Sequence, residues 1–124
     1  MSRPSVSAIE SPRLYLAPAS VDLTQADLDG PQALSAALGV EVPPEWPPEL
    51  YSRPALSAVL QQLRDRAEHG WSTWYLARRE PHEGLVGVCG FKGRPDANGS
   101  VEIAYSILEP YRNEGYASEA VQRL

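Results

Sequence analysis

Residues 112–117, Arg-Asn-Glu-Gly-Tyr-Ala, set a guanidinium, a glycine and a small residue in the order R-x-x-G-x-A, between an alternating apolar run and a helical one. Such an arrangement can hold an anion. A helix start leaves backbone N–H groups without intrahelical partners and carries partial positive charge, and a phosphate satisfies both. Gly115 lets the backbone turn and approach a ligand without a Cβ in the way, and Ala117 is small for the same reason. The candidate ligand-binding residues are therefore Arg112, Asn113, Glu114, Gly115, Tyr116 and Ala117. Arg112 is open to two roles, contact with phosphate or bracing of the loop. No Gly-Lys-Ser/Thr follows and no G-x-G-x-x-G is present, so neither the Walker loop nor the dinucleotide fingerprint applies.

The loop needs an element on each side. Residues 101–108 alternate: Val101, Ile103, Tyr105 and Ile107 face one way, and Glu102, Ala104, Ser106 and Leu108 the other, as in a strand. Ala117 or Ser118 opens the helical segment that follows.

With strand, Pro-Tyr-Arg, Gly-Tyr-Ala and Ser-Glu-Ala-Val in this order, residues 101–124 resemble the acetyl-CoA motif of GNAT N-acetyltransferases. They are most similar to the branch that includes the ribosomal-protein alanine acetyltransferases. The resemblance implies an α/β fold, with a mixed, mostly antiparallel sheet flanked by helices. It implies acetyl-CoA as cosubstrate, with its pyrophosphate on the amides of residues 113–117 and its pantetheine and thioester beside the backbone of Ile107 and Leu108. In the family this strand splays from its neighbour, and one freed amide polarises the thioester carbonyl as an oxyanion-hole donor does. The implied reaction is direct attack of a primary amine, either a protein N-terminus or a small molecule. The attacking amine must lose a proton. Glu102, on the face with Ala104 and Ser106, is the candidate general base; its other reading is a solvated strand residue.

Three positions depart from the family pattern. Glu109-Pro110 exchanges the order of a frequent Pro-Glu, Asn113 replaces a frequent glycine, and Glu114 puts a negative charge close to the expected phosphate. The family domain also continues for another third, including the usual source of the general acid. Residues 1–124 are thus expected to be one domain in incomplete form: its N-terminal and cofactor-binding portion in a fragment, or a chain whose sheet a second copy completes as a homodimer.

Upstream, residues 13–16 between Pro12 and Pro18 predict a first strand. Asp22 is the expected N-cap of a first helix; Pro31 opens and Gly39 ends a second. Five prolines in residues 42–54, around Trp46 and Tyr51, predict an ordered loop packed on the domain, where substrate is expected to approach. Leu56, Val59, Leu60 and Leu63 form one apolar helical stripe, with Gly70 expected to end it. Residues 72–78 and 85–91 predict two strands, the second glycine-interrupted with something packed closely over it. Residues 95–99 predict a hairpin turn.

Composition excludes several classes. A net charge of −5 leaves no basic stripe for nucleic acid. No run of eighteen apolar residues is present, so no membrane span is expected. One cysteine, two histidines and no leader-like N-terminus point to the cytoplasm and away from a metal site. Cys89 reads as a core residue without a base beside it, His69 as a helix-end residue and His82 as a loop residue. Trp46, Trp71, Trp74, Tyr105 and Tyr111 read as packing residues, and Ser106 has no triad partners. Two other functions stay open: a non-catalytic acyl-CoA-binding module, and a binder of another phosphorylated ligand.

Overall fold

A computed structural model describes residues 8–48, 51–65, 70–79, 83–91 and 94–124. Among them are five strands, β1 (Ile9–Glu10), β2 (Leu14–Pro18), β3 (Thr73–Arg78), β4 (Gly84–Phe91) and β5 (Ile103–Ile107). They form one sheet in the order β1-β2-β3-β4-β5, with every described pairing antiparallel. The helices are α1 (Val21–Asp29), α2 (Pro31–Leu38), α3 (Arg53–Leu63) and α4 (Tyr116–Arg123). The architecture is thus the expected α/β sheet with helices on both faces. No described helix is long and apolar enough to cross a membrane.

Each face of the sheet has its own core. On one, Tyr75, Ala77, Leu85 and Val88 pack with Leu34, Leu56 and Leu63 from α2 and α3. On the other, Leu14, Leu16, Trp74, Leu76, Val86 and Ile107 pack with Tyr116 and Ala120 of α4. A register shift at Leu76/Ala77 inserts an extra residue in β4. Leu85 and Val88, three apart, therefore share one face, and Val86 and Cys89 the other.

The glycines of β4 are explained within the sheet. A Cβ at Gly87 would lie 2.5 Å from the Ser106 carbonyl oxygen, and one at Gly90 only 2.2 Å from that of Ser72. What packs closely is the backbone of the flanking strands, not an element over the face. Leu56 and Leu63 of the α3 stripe are buried, and Val59 and Leu60 are half-buried. The helix ends at Leu63, before Gly70; His69 and His82 lie outside the described residues.

Two helix starts differ from the local sequence signals. Ser20, not Asp22, caps α1, its hydroxyl accepting from the Leu23 N–H at 3.1 Å. Tyr116, not Ala117 or Ser118, opens α4, with Gly115 at its N-cap. The proline-rich loop packs as expected, with Trp46 and Tyr51 buried, but it ends at Ser52: Arg53 and Pro54 open α3, where a proline in the first turn loses no hydrogen bond; residues 49–50 lie outside the description. Asp96 closes the 95–99 turn, its carboxylate accepting from the amides of Asn98 and Ser100.

Candidate functional site

The strand leading to the loop is shorter than its sequence pattern. β5 begins at Ile103, so Val101 and Glu102 precede it, and Glu102 is exposed. The clean alternation does not become a clean division of burial: Ile103 and Tyr105 are 41% and 60% exposed. Tyr105 is therefore not a packing residue. Tyr111 is half-buried and touches both cores, with the Arg78 guanidinium 4.7 Å from its ring centre.

β5 lies at the sheet edge among the described strands. Leu108 donates its N–H to the Val86 carbonyl at 2.8 Å, and Val88 and Ser106 are partners in the same ladder. Because backbone groups alternate in direction along a strand, those of Tyr105 and Ile107 point to the open edge. Ile107 thus presents its amide outward, whereas that of Leu108 is engaged. The Arg112 side chain turns back and donates Nε–H to the Ile107 carbonyl at 2.9 Å, and it also lines the cavity at the loop.

Past the 3-10 turn Glu109–Tyr111, the chain makes two left-handed residues, Asn113 at φ 65° and Gly115 at φ 81°. Gly115 directly precedes α4, and no side chain caps that helix. The first-turn amides of α4 are thus left for an external acceptor. A cavity of about 470 Å³ opens here, lined by Ile107, Arg112, Asn113, Gly115, Tyr116 and Ala117, among others. These expected residues come together; Leu108, Glu114 and Glu102 lie outside its lining.

Arg13 was not legible as part of this site. Its Nη1 donates to the Glu114 carbonyl at 2.8 Å, and its Nε to Glu119 Oε1 at 2.7 Å. Its guanidinium also stands 4.5 Å from the centre of the Tyr116 ring. Burial alone would raise the Glu119 pKa, but hydrogen bonds from Ser11 and from the Arg13 amide and side chain outweigh it and hold the carboxylate below its usual range. The Arg13–Glu119 bond in turn raises the Arg13 pKa. No local motif marks Arg13; its place depends on β2 lying beside α4.

On the opposite face, Asp27 is buried and accepts from Trp46 Nε1 and the Tyr75 hydroxyl, each at 2.9 Å. Burial raises its pKa against those two hydrogen bonds. The Tyr75 and Tyr51 hydroxyls are 3.4 Å apart. Burial pushes Tyr51 up to about 12 and Cys89 up to about 11, leaving the thiol protonated in the core. No metal-type group of three or more His, Cys, Asp or Glu side chains occurs among the described residues.

A family model described as an acetyltransferase (GNAT) domain matches residues 14–124. The chain belongs to the GNAT acetyltransferase family. It is similar to the uncharacterized N-acetyltransferase YjdG of Bacillus subtilis (strain 168), at 30% identity over 118 residues, or 94% of this chain and 68% of YjdG. It is also similar to the uncharacterized N-acetyltransferase p20 of Bacillus licheniformis, at 30% over 66 residues, or 53% of this chain and 37% of p20. No solved structure matches. As a GNAT domain, the chain carries its R-x-x-G-x-A loop between the edge strand and α4.

Proposed function

We propose that this GNAT domain transfers the acetyl group of acetyl-CoA to a primary amine. The cavity at the junction of β5 and α4 carries the reading, since it joins an uncapped helix start to outward strand amides. Phosphate suits the former. A pantetheine amide, which both donates and accepts, suits the latter. In this reading the amides of residues 113–117 bind pyrophosphate and Ile107 and Leu108 flank the pantetheine arm. Arg112 holds the loop to Ile107, and Glu102 takes the amine proton directly or through water. The amine nitrogen bonds to the acetyl carbon as the carbon–sulfur bond breaks, and the CoA thiolate leaves and takes up a proton.

The resemblance to the ribosomal-protein branch supports a protein N-terminus as one acceptor class; a small amine is the other. Residues 1–124 are proposed as the N-terminal and cofactor-binding portion of one domain. The test incubates the chain with acetyl-CoA and an amine panel, following thiol release and acetylated product. Calorimetry with CoA and with ATP accompanies it. Transfer together with tighter binding of CoA is expected. CoA binding without transfer would leave a non-catalytic acyl-CoA module, and tighter ATP binding would remove acetyl-CoA altogether.

A further inference from the structure

A second cavity, of about 310 Å³, lies between α3 and the β3–β5 part of the sheet. Its walls include Ala55 and Val59 of α3, Val88 and Phe91 of β4, and Tyr51. Tyr105 and Ser106 of β5 line both this cavity and the one at the loop. The middle of the strand that bears the outward amides is therefore a wall common to both spaces.

The chemistry of the walls restricts what fits. Among the described lining residues none carries a formal charge, so a second ammonium or a carboxylate on the guest would lose its hydration without a counter-ion. The volume is at the small end for ligand sites. The Tyr51 wall is held in place by edge-on packing with Trp46 and Tyr75, at centroid distances of 6.3 and 6.4 Å. Gln62 is likewise fixed, its Oε1 accepting from Ser72 Oγ at 3.0 Å. The pocket is preformed, and a guest need not order it.

Building on the acetyl-transfer reading, we propose that this cavity holds the acceptor, and that the acceptor is a small monoamine with an uncharged aromatic or branched aliphatic body. The amine reaches the acetyl group past Tyr105 and Ser106, while the apolar body fills the space under α3. Polyamines and amino sugars, with several charges to solvate, fit these walls poorly.

The test uses 2-phenylethylamine, with spermidine and glucosamine for comparison. In transfer assays with the full chain, kcat/KM for 2-phenylethylamine should exceed that for each of the others by about tenfold or more, the scale on which apolar pockets discriminate. Ala55→Phe, which fills the space from the helix, should raise the KM for 2-phenylethylamine about tenfold and leave calorimetric CoA affinity unchanged. NMR titration with 2-phenylethylamine in the presence of CoA reads the site without turnover: shifts should gather at the methyls of Ala55, Val59 and Val88 in the wild type, and those of Val59 and Val88 should vanish in the variant. Equal use of spermidine, or shifts that miss these methyls or persist in Ala55→Phe, would overturn the pocket assignment. Loss of CoA binding would instead count against the acetyl-transfer reading, so the two failures are distinct.

Discussion

Arg13 Nε lies 2.7 Å from Glu119 Oε1, and this contact ties the entry of β2 to the first turn of α4 across 106 positions of sequence. The same guanidinium holds the Glu114 carbonyl, so the proposed phosphate loop takes its shape partly from the other end of the chain.

Removing that tie should loosen the loop more than the fold. Arg13→Gln is expected to raise the KM for acetyl-CoA about five- to tenfold with kcat little changed, the scale of a charge-assisted hydrogen bond. Because the folded Glu119 pKa is lowered, the tie stabilises at neutral pH and is lost as pH falls from about 4.5 through the lower folded value. CoA affinity measured by calorimetry should drop over that acid window in the wild type. In Glu119→Gln the drop should be flatter.

Gly115 tests the left-handed turn. Gly115→Ala forces a Cβ into φ 81°, at a cost of about 1–2 kcal/mol, and brings it to 3.3 Å from Arg13 Nη2. A lower Tm and a weaker CoA Kd are expected together. Gly115→Asn should do less harm, since asparagine tolerates this conformation.

Glu114 is exposed within the loop. If pyrophosphate sits on these amides, Glu114→Gln removes a repulsion and should tighten CoA about two- to fivefold at low salt, with the gain fading at high ionic strength. Calorimetry at two salt concentrations reads it; a loss of affinity would contradict this placement of the phosphates.

For Glu102, the variant Glu102→Gln should lower kcat/KM about a hundredfold if the carboxylate accepts the amine proton. The deficit should shrink at high pH, where the amine is already neutral. Equal rates in the two proteins at every pH would show that Glu102 is a solvated residue.

Asp27 makes a stability prediction. Asp27→Ala leaves Trp46 Nε1 and the Tyr75 hydroxyl without their acceptor, at about 1–3 kcal/mol for each buried group. Asp27→Asn stays neutral and keeps one acceptor. The raised folded pKa of Asp27 means its contribution is full below the unfolded value of about 3.8 and declines as pH rises through the folded one. Wild type should therefore lose ground to Asp27→Asn between acid and neutral pH, as chemical denaturation would measure.

The legible parts of the molecule were those set by short-range pattern. The α3 stripe, the Pro31 and Gly39 ends of α2 and the strand–loop–helix around Gly115 each follow from a few adjacent residues. Asp22 misled because Ser20 stands two residues earlier and reaches the same turn. The alternation of residues 101–108 described a strand but not its surroundings, since periodicity cannot say whether a face has a partner. Arg13 and the Asp27–Tyr75–Trp46 cluster were invisible for a different reason. Their partners lie far apart in sequence, and only the completed sheet brings them together.

That β5 is the edge strand among the described residues has a further consequence. Outward amides that suit a pantetheine arm suit any extended polypeptide equally well, and exposed Ile103 and Tyr105 make such a visitor welcome. Cosubstrate and stray strands would then compete for one row of donors. Saturating CoA should act as a chaperone for the protein, delaying the onset of light scattering on warming by more than its effect on Tm alone accounts for.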